Sequence, residues 1–137
     1  MIHGLHTMTD LYGCQGDAGL LLDRATLETY CINACKDAGL TPVGSHFHQF
    51  TNEDGSQAGV TGTVVLAESH LAIHTWPESG DVTVDVYVCN YSRDNSTRAK
   101  AIMQELVARL QPTDMLEHNV MRGEVNRVGS RKQKLAA

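Results

Sequence analysis

Between Asp81 and Cys89, Val82, Val84, Val86 and Val88 alternate strictly with Thr83, Asp85 and Tyr87. Successive side chains of a β-strand point to opposite faces, so this run settles as a strand with one apolar and one polar face. The chain must then supply something to cover the valines, and two segments have the pattern for it. From Asp23, the apolar residues Leu27, Tyr30, Cys31, Ala34, Cys35 and Ala38 recur at helical spacing, with Asp23 placed as N-cap and Gly39 as the stop. Arg93-Asp94-Asn95-Ser96 supplies capping residues for a second helix. Its stripe is Ala99, Ile102, Met103, Leu106, Val107 and Leu110, and Pro112 ends it.

The remaining segments read as strands. His6 to Leu11 leads into a loop at Tyr12-Gly13-Cys14, and Thr41 to Phe50 puts Gly44, His46, His48 and Phe50 on one face and Val43, Ser45, Phe47 and Gln49 on the other. Residues 51–57 are polar and turn-rich, an exposed loop. Gly59 to Ala67 is a strand, with Leu71 to Thr75 a short continuation of it before a turn at Pro77 and Gly80. Met115 to Met121 is a last strand. The order β-α-β-β-β-α-β predicts an α+β two-layer sandwich, an antiparallel sheet with both helices on one face. A single domain is expected over residues 1–125. Residues 126–137, with Arg127, Arg131, Lys132 and Lys134, form a basic tail expected to be disordered. One sheet face is left free for a second copy, so a homo-oligomer, a dimer, is expected.

At 137 residues the chain has room for one core. A net charge of −5 argues against nucleic acid as the main partner. No apolar run approaches the ~20 residues that span a bilayer, so no membrane association is expected. Met1-Ile2-His3-Gly4 lacks the features of a signal peptide, which gives a cytoplasmic expectation. Cys14, Cys31, Cys35 and Cys89 are then thiols, Cys31 and Cys35 sharing a helix face as core residues.

Chemistry concentrates between Leu66 and Glu78, where Glu68-Ser69-His70 interrupts an apolar pattern and His74-Thr75-Trp76-Pro77-Glu78 closes it. Ser69 offers a nucleophile's hydroxyl, and His70 or His74 a base. Against a Ser-His-Asp hydrolase, no Gly-x-Ser-x-Gly elbow surrounds Ser69. His46 and His48 share a strand face and could join His70 and His74 around an ion. No Cys-x-x-Cys or His-Glu-x-x-His spacing supports this, and no metal is expected.

The whole stretch resembles the processing site of the small prokaryotic S-adenosylmethionine decarboxylase proenzymes. Asp10-Leu11-Tyr12-Gly13-Cys14, Phe47-His48-Gln49-Phe50, Gly59-Val60-Thr61-Gly62 and Asp85-Val86-Tyr87-Val88-Cys89 are similar to that family in the same order. The resemblance spans roughly residues 4 to 122. It implies that Ser69 attacks the carbonyl before it and that the bond between Glu68 and Ser69 is cut. A β chain 1–68 and an α chain 69–137 opening on a pyruvoyl group made from Ser69 would result. His74 holds the family's position for the processing base, and Thr61 stands where a serine hydroxyl often assists. The pyruvoyl ketone forms a Schiff base with the substrate amine and accepts the electrons left by CO2. Cys89 holds the proton-donor position, a role that suits a thiol, mostly protonated at neutral pH.

For the substrate, the resemblance implies S-adenosylmethionine, decarboxylated on the way to spermidine. Phe50 and Trp76 fall in the adenine-contacting and pocket-lining region, and Glu78 resembles the acid that holds the ribose hydroxyls. The chain departs from the family's pattern at Leu5, Gln49, Ser79 and Asp81, and its 51–57 loop is longer than usual. Asp81 adds negative charge near the pocket, which keeps an ornithine or arginine decarboxylase open as an alternative. A non-catalytic ligand-binding homologue is a more distant one.

Overall fold

The alternating valines lie in a central strand, paired on one side with the strand just before it in sequence and on the other with the N-terminal strand. The computed structural model describes residues 2–91 and 93–125. In chain order the elements are β1 (Ile2–Tyr12), α1 (Gly19–Leu22), α2 (Arg24–Asp37), β2 (Pro42–Thr51), β3 (Gln57–Leu66), β4 (Ser69–Trp76), β5 (Asp81–Cys89), α3 (Ser96–Leu110) and β6 (Asp114–Val125). The sheet order is β2-β3-β4-β5-β1-β6, with each neighbouring pair antiparallel. This is the expected α+β sandwich.

The valines of β5 are buried together with Leu71 and Ile73 of β4, Val60 and Val64 of β3 and Leu11 of β1. Leu27, Cys31 and Cys35 of α2 and Ile102, Leu106 and Leu110 of α3 cover them. Asp23 caps α2 as its position predicts, accepting from the Thr26 N–H at 2.9 Å. The Thr26 hydroxyl and amide hold its carboxyl below the ordinary range. Gly39 leaves the helix at a φ of 88°, a conformation that favours glycine. Phe47 belongs to the core: its ring packs over Gly62 on the neighbouring strand, and a Cβ at that position would collide with it.

One local reading changes. Leu71 to Thr75 does not continue the preceding strand. It lies in β4, which runs back antiparallel to β3 with Leu66 opposite Ser69. Ala67 and Glu68 make the turn, and with no glycine, proline or asparagine in it the sequence carries no turn signal there. Ser69 therefore opens a central strand beside a tight hairpin. The four-residue α1 was also not expected, and the basic tail from Asn126 lies outside the described residues.

The second sheet face carries His6, Asp10, Thr61, His70, His74, Asp85 and Tyr87 among exposed Phe50, Val65, Trp76, Leu116 and Val120. No helix covers it among the described residues. None of those helices is long and apolar enough to cross a membrane.

Candidate active site

Glu68, in the turn of the β3–β4 hairpin, is held from both sides, by β5 and by the residue before β2. The Cys89 N–H donates to the Glu68 carbonyl at 2.7 Å. On the other side, the Thr41 N–H donates to the Glu68 Oε1 at 3.0 Å, and the Ala67 N–H donates to the Thr41 carbonyl at 2.9 Å. Ser69 has a φ of 150°, a region that side-chain-bearing residues rarely adopt and that costs about 1–3 kcal/mol. A polarised carbonyl thus stands beside a strained serine. An N–H aimed at that oxygen stabilises the negative charge that develops when a nucleophile adds to the carbon.

His74 sits elsewhere. It pairs across the strands with Thr61, whose Oγ1 lies 2.5 Å from the His74 Nδ1. Ser69 and His74 belong to one extended strand, and at about 3.3 Å per residue five steps separate them by ~16 Å. The structure therefore brings Glu68, Ser69 and Cys89 together at one end of β4, and Thr61, His74 and Trp76 at the other.

Phe50, Thr61, His74 and Trp76 line a cleft of about 370 Å³. Across Trp76 a second cleft of about 340 Å³ is lined by Asp10, Tyr12, Ser79, Asp81 and Thr83. Asp81 accepts from the Gly13 N–H at 3.2 Å, so its carboxylate also holds the β1 loop. Burial and then Asp81 push the nearby Cys14 thiol up. Glu78 stands exposed on the turn after Trp76, outside the lining of both clefts. Gln49 is a stitch: its Nε2 donates to the carbonyls of Leu22 at 2.8 Å and Gly59 at 3.0 Å, and its Oε1 accepts from the Arg24 N–H. Leu5 is buried in the core.

A cluster that the sequence did not disclose lies on the open face and includes His70, the residue after Ser69. The Nε2 atoms of His6 and His70 approach the same oxygen of Asp85, at 2.8 and 2.9 Å. Three possible ligand atoms lie within 4.8 Å of one another, close enough for an ion. The Arg122 side chain decides against that use. A guanidinium only donates, and its NH1 meets the His6 Nδ1 at 3.2 Å, so Nδ1 accepts and the ring proton sits on Nε2, facing Asp85. A metal needs that Nε2 lone pair. The cluster is held as a hydrogen-bonded network, with Arg122 over the Tyr87 ring at 4.3 Å. The available sequence signal was shared polar-face parity, but 79 positions separate His6 from Asp85. His46 and His48 stand exposed and outside the cluster.

Comparison with known proteins fits this frame. The sequence profile of the family described as S-adenosylmethionine decarboxylase matches residues 5–123. The chain belongs to the S-adenosylmethionine decarboxylase family. It is 41% identical over 110 residues to the S-adenosylmethionine decarboxylase proenzyme of Aquifex aeolicus (strain VF5), covering 80% of this chain and 73% of that one. It is 39% identical over 123 residues to the proenzyme of that name from Persephonella marina, covering 89% of this chain and 84% of the relative. The crystal structure of the Aquifex aeolicus adenosylmethionine decarboxylase superposes with a TM-score of 0.75 at 37% identity, covering 92% of this chain and 95% of that one. Where this S-adenosylmethionine decarboxylase family member departs from the expected pattern, at Leu5, Gln49 and Asp81, each side chain has a local structural partner: the core, the Leu22 and Gly59 carbonyls, and the Gly13 amide.

Proposed function

We propose that this chain is a self-processing S-adenosylmethionine decarboxylase whose pyruvoyl group is made from its own Ser69, and that it releases CO2 and decarboxylated S-adenosylmethionine for spermidine synthesis. The observation that carries the reading is the Glu68 carbonyl, held by the Cys89 N–H beside the strained Ser69. In processing, the Ser69 Oγ adds to the Glu68 carbonyl carbon, the C–N bond breaks, and the hydroxyl proton passes to the Ser69 nitrogen. A base then removes the Ser69 Cα proton and the Glu68 carboxylate leaves. The dehydroalanine that remains takes up water and loses ammonia. β3 stays paired to β2 and β4 to β5, so the cut leaves the sheet intact. The residues at the hairpin fit a pyruvoyl group, which supplies a ketone that binds the substrate's amine and accepts the electrons left by CO2. Cys89, half-buried on the same face as Asp85 and Tyr87, returns the proton to the substrate carbon. Phe50 and Trp76 wall the cleft that takes the adenine, Asp81 lines the cleft across Trp76, and Glu78, on the exposed turn after Trp76, is the acid assigned to the ribose hydroxyls.

Within one chain His74 is too far along β4 to act on Ser69. We therefore assign the base to His74 of a second copy, which arrives with Thr61 when two open sheet faces pack. Two-fold symmetry in such a pair would make two equal sites. The apolar side chains exposed on that face, including Phe50, Val65 and Val120, suit such a cover. Four free thiols suit a reducing compartment, and we place the enzyme in the cytoplasm.

The basic-amino-acid alternative is not favoured, because the relatives are named for S-adenosylmethionine and Asp81 is engaged by Gly13. Release of labelled CO2 from S-adenosylmethionine, ornithine and arginine, measured side by side, tests the choice. Turnover of the first alone is expected; turnover of either amino acid in its place overturns it.

A further inference from the structure

Asn95 is 1% exposed and sits at the N-cap of α3, where an asparagine side chain ordinarily accepts from the helix's first free N–H groups. It makes no such bond here. The preceding residue has taken over the task, Asp94 accepting the Ser96 N–H at 2.9 Å. The Asn95 amide is turned inward instead. Its Nδ2 donates to the Cys89 carbonyl at 3.0 Å, and its Oδ1 accepts from the Arg93 Nε at 3.2 Å. A carbonyl only accepts and a guanidinium only donates, so these two partners fix which way the amide points. The Asn95 N–H is held in turn by the Asn90 Oδ1 at 2.8 Å, and Arg93 is anchored to the Gly39 carbonyl beyond α2 at 2.7 Å.

The residue gripped this way is the last of β5, where a strand leaves the sheet. It is also the residue whose own N–H meets the Glu68 carbonyl at 2.7 Å. We propose that Asn95, braced by Arg93, is a positioning residue for self-processing: by fixing the Cys89 backbone it aims the Cys89 N–H at the Glu68 oxygen while the Ser69 hydroxyl adds to the carbonyl carbon. This rests on the processing reading above. A donor that stabilises a developing oxyanion works only if held in place before the charge appears, and loss of such a donor costs about 10²–10³ in rate. Misplacement through a loosened support costs less, about tenfold or more.

The test follows full-length chains made by cell-free synthesis, with cleavage at Glu68–Ser69 read over time. Asn95→Asp keeps the acceptor for Arg93 and loses the donor to Cys89, and Asn95→Ala loses both. Asp94→Ala, which removes the α3 cap and leaves the clamp, reports what loosening the helix does by itself. Both Asn95 variants are expected to slow cleavage about tenfold or more, with Asp94→Ala within about twofold of wild type. A second readout isolates the acyl shift. In a His74→Ala background, hydroxylamine cuts the ester and leaves a Glu68 hydroxamate, and adding Asn95→Asp should lower its yield. Wild-type rates in Asn95→Asp, or equal slowing by Asp94→Ala, overturn the clamp while leaving self-processing in place. A wild-type chain that stays whole overturns both.

Discussion

The Cys89 N–H donates to the Glu68 carbonyl at 2.7 Å, so one residue faces the Glu68–Ser69 peptide bond with its backbone and the open sheet face with its thiol. These two contributions separate in a single variant. Cys89→Ala keeps the N–H and loses the thiol. It is expected to be cut as wild type and to release CO2 about 10²-fold more slowly, the usual worth of a positioned proton donor. Gel analysis and a CO2 assay on one preparation check both. An uncut Cys89→Ala chain would move the thiol into processing.

The positive φ of Ser69 stores strain in the residue that follows the Ala67-Glu68 turn. Ser69→Gly relieves it and should raise unfolding stability by about 1 kcal/mol, after glycine's greater freedom in the unfolded chain is subtracted. Ser69→Ala leaves the strain and should gain nothing. Both variants should remain single chains. Urea unfolding of the two, compared with each other, reads the difference.

The ~16 Å that five strand residues put between Ser69 and His74 predicts complementation between chains. Ser69→Ala and His74→Ala should each stay whole when made alone. Made together, the His74→Ala chain should be cut, its Ser69 served by the His74 of the Ser69→Ala chain. Differently tagged copies followed by mass spectrometry report which chain is cleaved. Cleavage of His74→Ala by itself would remove His74 from the role.

The four thiols should divide by reactivity. Burial holds Cys31 protonated far above the ordinary thiol range, and burial with the nearby Glu68 pushes Cys35 up to about 12. Iodoacetamide at pH 8 should therefore spare both in the native protein, and loss of decarboxylation should track labelling of half-buried Cys89. Peptide mapping over the time course checks this.

Much of the fold was legible because the valines of β5 and the stripes of α2 and α3 obey a period of one face. The Ala67-Glu68 turn was not legible, because hairpin chemistry there depends on the strained residue after it rather than on glycine or asparagine. That hid β4 as a separate strand. The motif named Ser69, His74 and Cys89 as a group, yet spacing alone could not say that His74 stands at the far end of its strand from Ser69. Arg93 to Ser96 read together as capping residues, because the sequence cannot show that Asp94 does the capping while the Asn95 side chain turns inward. The Asp85 bridge joins strands too distant in the chain to announce themselves.

Conversion at Glu68–Ser69 is tested most directly by denaturing mass spectrometry of freshly purified wild-type protein. The expected result is two chains, residues 1–68 ending in an intact Glu68 and residues 69–137 opening on a pyruvoyl group in place of Ser69. A single chain of 14.9 kDa that keeps Ser69, yet still decarboxylates S-adenosylmethionine, would contradict it.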